Sequence, residues 1–196
     1  MTTGNSLFPV FIKLDQIHTL IVGGGSVGLE KLDALLRNDH EAQVTIVSKK
    51  INREIRQRQG LSRQIKLIER PFRKSDLKGK DLVILATDDQ RLHSRIRSIA
   101  RKKHLLINVA DTPHLCDFYL GSTVKKGDLK IGISTNGKSP TFSKRLKEVL
   151  NETLPDETDL LLQNLKVIRD RLKGDFSFKV KALNGITKSL IDRNEV

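Results

Sequence analysis

Residues 19–28 run Thr-Leu-Ile-Val-Gly-Gly-Gly-Ser-Val-Gly, a short β-rich apolar stretch that breaks at once into a glycine loop. Gly23, Gly25 and Gly28 have the spacing G-x-G-x-x-G, and an amphipathic stretch over 27–37 follows directly. Strand, glycines and helix in that order are the context in which the spacing reads as a dinucleotide-binding turn. In such a turn Gly23 allows the sharp bend, Gly25 admits a pyrophosphate to the backbone, and Gly28 lets helix and strand pack closely. The helix start adds free N–H groups and the positive end of its dipole. The competing reading is a plain βα turn whose glycines serve packing alone.

The flanking pattern extends the argument. Strand candidates at 19–23, 43–48, 65–69, 81–86 and 105–109 alternate with helical patterns at 27–37, 51–58 and 90–103, where Ile96, Ile99 and Ala100 share a face. Such alternation predicts a parallel sheet with right-handed crossovers and helices on both faces. A ligand then belongs at the carboxyl ends of the strands, at residues 23–25, 48–50, 86–88 and 109–111. Beyond Asp111 the pattern changes. Residues 112–116 read as a loop, 117–124 as an extended piece, Lys125-Lys126-Gly127-Asp128 as a hairpin turn and 129–134 as a strand. Ser139 and Pro140 suit the N-cap and first position of a helix over 141–152. Two further helices are predicted at 157–173 and 176–192, forming a separate lobe or a subunit interface.

Charge narrows the partners. The net charge is +13, and residues 49–74 hold ten basic residues against two acids, Glu54 and Glu69. Such a field attracts polyanions, or at its plainest is a solvated face. No helix-turn-helix spacing, zinc-finger pattern or aromatic-interleaved RNA motif accompanies it, so nucleic acid is not an expected partner. The single cysteine, Cys116, excludes an intrachain disulfide and a Cys-based metal cluster. No apolar run approaches a membrane span, and residues 1–15 lack the features of a secretory signal. The expectation is a soluble cytoplasmic protein with no membrane partner.

Leu7-Phe8-Pro9-Val10-Phe11, residues 20–27 with their triple glycine, Ala86-Thr87-Asp88-Asp89, Asn108-Val109-Ala110-Asp111 and residues 134–140 occur in the order found in precorrin-2 dehydrogenases. From about residue 7 to about residue 150 the chain resembles that family, which includes the N-terminal module of sirohaem synthases. The resemblance implies an α/β chain: a Rossmann-like parallel sheet (1–112), a small α+β dimerisation and substrate segment (113–145) and a C-terminal helical region (146–196). It implies NAD-dependent oxidation of precorrin-2 to sirohydrochlorin on the way to sirohaem, joined in some members by Fe2+ insertion, in a homodimer whose middle segment exchanges between subunits. The carboxylates around the tetrapyrrole would then meet the basic surface.

The resemblance also assigns residues. Asp111 matches the aspartate regarded as catalytic, a general base or an acceptor of pyrrole protons, with a cap on the turn before Pro113 as the alternative. Ser26 and Val27, and Lys49 and Lys50 after strand two, match the family's cofactor contacts. Gly23, Gly24, Gly25 and Gly28 complete the loop, and Thr87 and Asp88 are expected near the nicotinamide half. For Asp88 and Asp89 the alternative is helix capping. Thr135 and Ser139 are candidates for substrate carboxylates, with Ser139 equally an N-cap. His114 reads as an exposed loop residue, and no resident metal is expected.

Three features depart from the family pattern. NAD-specific proteins often carry Asp or Glu at the end of strand two. Here Ser48-Lys49-Lys50 stands there, a hydroxyl and two cations that suit a 2′-phosphate, hence NADP. The family is described as NAD-using, and NAD is the expected cofactor. Gly121 stands where proline is frequent, and Glu30-Lys31 where Arg-Lys is frequent. A rival of another class is a non-catalytic NAD(H)-sensing module that signals through its C-terminal helices. The polar stretches 108–113 and 134–140 favour the enzyme.

Overall fold

The computed structural model describes residues 4–188. The chain divides into two compact units, Phe8–Leu120 and a second formed by the described residues ahead of Phe8 and from Gly121 on. In the first, five strands make one parallel sheet: β1 (His18–Val22), β2 (Gln43–Ser48), β3 (Ile65–Glu69), β4 (Leu82–Leu85) and β5 (Leu106–Val109), in the order β3-β2-β1-β4-β5. Between them run α1 (Ser26–Asn38), α2 (Arg53–Leu61) and α3 (Gln90–Lys102). This is the doubly wound arrangement that the alternation predicts.

The strands are near-continuous apolar runs because helices cover both faces of the sheet. Successive side chains leave opposite faces. Ile21 joins Leu32, Leu35, Ile46, Ile55 and Ile84 in one cluster. Leu20 and Val22 join Val47, Val83, Ile96 and Ile107 in the other.

One crossover has no α-helix. Between β3 and β4 the chain forms a 3₁₀ turn, Lys74–Leu77. It is held by Arg70, whose guanidinium donates to both Asp76 oxygens at 2.9 and 2.6 Å, and by Arg73 N–H donating to the same carboxylate at 2.7 Å. These donors hold the Asp76 carboxyl below its usual range.

The second unit opens with an antiparallel hairpin, β6 (Ser122–Lys126) and β7 (Leu129–Ile133), joined by Gly127 and Asp128. Gly127 takes φ +56°, which a two-residue hairpin loop requires of its first residue. The Asp159 carboxylate accepts Asp128 N–H at 2.8 Å. Helices α4 (Pro140–Thr153), α5 (Thr158–Arg171) and α6 (Phe176–Thr187) follow. The stretch expected to extend to residue 192, like the end of the region 146–196, runs past Lys188 and lies outside the described residues.

The extended piece expected over 117–124 is a strand only from Ser122. Its earlier residues are tied instead to β5: Asp117 N–H donates to Ile107 O at 2.7 Å, Ile107 N–H to Asp117 Oδ2 at 3.1 Å, and Asn108 Nδ2 to Phe118 O at 2.8 Å. The loop expected over 112–116 contains a 3₁₀ turn at Pro113–Leu115.

Candidate functional site

The register brings the expected segments to one edge. Val22 pairs with Val47 and with Leu85, and Leu85 with Val109, so Gly23, Ser48, Ala86 and Ala110 leave the sheet together at its carboxyl end. Ladder bonds continue one residue further, from Gly23 N to Val47 O (3.0 Å), Ala86 N to Val22 O (2.8 Å) and Ala110 N to Leu85 O (2.9 Å).

The glycines at this edge do different jobs. At Gly23, with φ +124°, a Cβ would stand 2.2 Å from Ala86 O, and at Gly28 it would stand 2.2 Å from Gly23 O. Both are demanded by close backbone approach. At Gly24 the obstacle is Lys50 O at 2.6 Å, and Asn52 N–H donates to Gly24 O at 2.8 Å, which fastens the segment after β2 to the loop. Gly25 is exposed and different. Among the described residues no atom beyond its chain neighbours lies within 4 Å of its absent Cβ, and its φ of −85° and ψ of −161° suit any residue. Above it stands the first turn of α1, with no side-chain cap and no acidic residue. Open room over unpaired N–H groups is what a pyrophosphate needs. Packing alone accounts for Gly23 and Gly28 but gives no reason for glycine at 25. Ser26 is exposed at the first position of this helix, whereas the Val27 side chain packs on the core, so Val27 has only its backbone to offer a ligand.

At the end of β4, the half-buried Thr87 hydroxyl lies 2.9 Å from His93 Nε2. His93 is 3% exposed, and its Nδ1 has no hydrogen-bond partner among the described residues. Burial pushes its pKa below the ordinary histidine range, which favours the neutral ring. With the proton assigned to Nε2, the orphan is an unprotonated nitrogen rather than a stranded N–H, and the Thr87 O–H is left to donate outward. Sequence reasoning passed over His93. Its place three residues before Ile96 and seven before Ala100, on the buried face of α3, was the available signal. Asp89 caps α3 by accepting Leu92 N–H at 2.9 Å. Asp88 is exposed and has no side-chain partner among the described residues.

Asp111 follows β5 with φ +56°, a left-handed conformation that costs a non-glycine residue on the order of 1 kcal/mol. Its exposed carboxylate makes no hydrogen bond among the described residues, and the Pro113–Leu115 turn has no side-chain cap. Beneath it, Thr112 Oγ1 donates to Ala110 O at 3.2 Å and Cys116 Sγ accepts Val109 N–H at 3.1 Å. Burial pushes the Cys116 thiol up, so this group holds the turn rather than acting as a nucleophile.

Of the basic run, Arg56 pairs with Glu69 at 2.6 Å, Arg58 with Asp33 at 2.8 Å and Arg70 with Asp76. Lys49 and Lys50, exposed at the end of β2, form no ion pair among the described residues.

Thr135 and Ser139 belong to the second unit. Thr135 Oγ1 accepts Ser139 N–H and donates to Ser139 O, both at 3.2 Å, while Ser139 Oγ caps α4 by accepting Phe142 N–H at 3.1 Å. Thr135 is therefore spent locally, whereas the Ser139 hydroxyl keeps its own proton to donate. His114 is exposed. Among the described residues no group of three His, Cys, Asp or Glu is placed to hold a metal ion, and no helix is long and apolar enough to cross a membrane.

Comparison with known proteins finds the same fold and a family for the chain. The family model described as "Putative NAD(P)-binding" matches residues 10–122, and one described as "Sirohaem biosynthesis protein central" matches residues 126–152. The siroheme synthase of Psychrobacter arcticus is 36% identical across 91% of this chain and 31% of its own. That of Methylococcus capsulatus is 32% identical across 84% of this chain and 34% of its own. The chain thus spans about a third of the length of these relatives. A solved structure titled SirC, precorrin-2 dehydrogenase, shares the fold at a TM-score of 0.73 and 24% identity, covering 95% of this chain and 90% of that one.

Proposed function

Because this chain belongs to the NAD(P)-binding family matched over residues 10–122 and continues into the sirohaem-biosynthesis central segment, we propose that it dehydrogenates precorrin-2 to sirohydrochlorin with NAD+. The observation that carries the proposal is Gly25, a glycine that neither packing nor backbone requires, set over the uncapped start of α1. When bound, the cofactor supplies the hydride acceptor. Gly25 and the N–H groups of Ser26 and Val27 would hold its pyrophosphate on the turn that Gly23, Gly24 and Gly28 allow to close, with Lys49 and Lys50 toward its adenosine side and Thr87 and Asp88 toward its nicotinamide side.

The substrate loses a hydride and a proton. Asp111 takes the proton: its carboxylate is exposed, makes no hydrogen bond among the described residues and stands on a left-handed turn after β5 at the same edge. In the second unit Ser139 donates to a substrate carboxylate, with Thr135 holding the loop that presents it. Fe2+ insertion into sirohydrochlorin, as a second reaction on the same substrate, uses Asp111 to accept pyrrole protons. Apolar side chains left open on α4–α6, among them Phe142, Leu160, Phe176 and Phe178, support a homodimer. The cytoplasm suits an unpaired Cys116 thiol.

The test is conversion of precorrin-2 to sirohydrochlorin, followed by absorbance with and without NAD+. Asp111→Ala should lower turnover by about 10²–10⁴-fold while NADH affinity stays within about twofold. A chain that binds cofactor but never converts precorrin-2 supports the NAD(H)-sensing module instead. Sirohydrochlorin incubated with Fe2+ and the protein tests metal insertion by the colour change it produces.

A further inference from the structure

We propose that the end of β2 is a seat for a 2′-phosphate, so that this protein takes NADP(H) at least as readily as NAD(H). The inference rests on the dinucleotide reading above and adds to it the chemistry of the adenosine ribose. Three observations converge there. The ribose of a dinucleotide in this fold lies at the end of β2, where a carboxylate selects the free 2′-hydroxyl by accepting from it and repels a phosphate. That position is Ser48, which is neutral and half-buried.

The residue paired with Ser48 in the β2–β3 register is Glu69, and its carboxylate is already committed. Its Oε1 accepts Ile51 N–H at 3.1 Å and its Oε2 accepts Arg56 Nη2 at 2.6 Å, and these donors hold its pKa below the usual range. Glu69 therefore does not substitute for the missing ribose acceptor, and Arg56 cancels the negative charge that would oppose a phosphate.

Lys49 and Lys50 are the third observation. Both are exposed and, like Arg53, Arg63, Lys66, Arg73 and Lys74 of the same run, form no ion pair among the described residues; their place at the end of β2 sets them apart. Their backbone is fastened to the cofactor loop, with Lys50 O against Gly24 and Asn52 N–H bonded to Gly24 O at 2.8 Å. The two free ammonium groups are thus rooted beside the pyrophosphate turn. A phosphate dianion with two lysines and a serine hydroxyl is well satisfied, whereas a bare 2′-hydroxyl finds no acceptor.

The experiment is fluorescence titration of the whole chain with NADH and with NADPH at low and high salt. NADPH should bind at least as tightly as NADH, and its affinity alone should fall steeply with salt. Lys49→Ala and Lys50→Ala should each weaken NADPH by about tenfold more than they weaken NADH. Ser48→Asp should reverse the preference. Because that aspartate would face Glu69, the two lysine variants decide the matter should it not fold. A wild-type preference for NADH of more than about tenfold, or lysine variants that weaken both ligands equally, overturns the inference and leaves the dinucleotide site standing. Binding of neither ligand overturns the dinucleotide reading itself, and the inference with it.

Discussion

In the unit Phe8–Leu120, β1, β2 and β4 are buried almost end to end, and each helix sends residues such as Leu32, Ile55 and Ile96 into a filled core. Beyond Gly121 the hairpin and α4 bury Val124, Ile133 and Ser143, while α5 and α6 bury none of their residues. Both regions are rich in Leu, Ile and Val, so hydrophobicity alone does not decide burial. What differs is closure. The parallel sheet finds helices for both its faces within its own sequence, whereas the later helices keep Leu160, Phe176 and Phe178 open. The first unit closes over its own core, while the second leaves large apolar side chains uncovered among the described residues.

The sharpest way to break this contrast is to add the same methyl branches to glycines in both units. Gly28→Val puts a side chain 2.2 Å from Gly23 O and should cost about 4 kcal/mol or more, unfolding the first unit in a thermal melt. Gly132→Val in β7 meets nothing within 4 Å and should shift stability by less than about 1 kcal/mol.

Next in size is Asp111→Gly. It removes the carboxylate proposed to accept the proton while relieving the φ of +56°, so turnover should collapse as stability rises by about 1 kcal/mol in denaturant titration. Loss of both would make Asp111 a structural residue. Leu160→Glu tests the second unit. It should separate paired chains in light scattering while leaving the melting of the sheet unit unchanged, and a wild-type chain already monomeric would show that no second copy covers α5.

The smallest effect is on pH dependence. Burial lowers the pKa of His93 in the folded state, so between that value and the unfolded value near 6.5 the unfolded chain binds the extra proton. Stability should therefore decline as pH falls below about 6.5, with a slope of no more than about one proton, and His93→Asn should flatten it.

The sheet was legible because parallel strands buried on both faces are written as apolar runs, and β2 and β3 coincide with the segments 43–48 and 65–69. The glycine turn was legible because its spacing follows from close backbone approach. The 3₁₀ turn before β4 was not, since it depends on Arg70 meeting Asp76, a charged contact with no periodic signature. The same holds for the backbone bonds from Asp117 and Asn108 that fasten the chain after β5. Within the candidate site, Asp88 and Asp89 looked alike in sequence, and only the bond from Leu92 N–H distinguishes the cap from the free carboxylate. Thr87 and His93 lie six residues apart, and only the return of α3 over the end of β4 explains their contact.

The central claim is that the room above Gly25 belongs to a pyrophosphate, and Gly25→Asp tests it most directly. Aspartate is a favoured N-cap, and its side chain enters open space on an ordinary backbone, so the fold should survive with an unchanged or higher melting temperature. The same carboxylate would occupy the anion seat, and NADH affinity measured by calorimetry should fall by about 100-fold or more. A variant that melts normally and still binds NADH like the wild type would contradict the account.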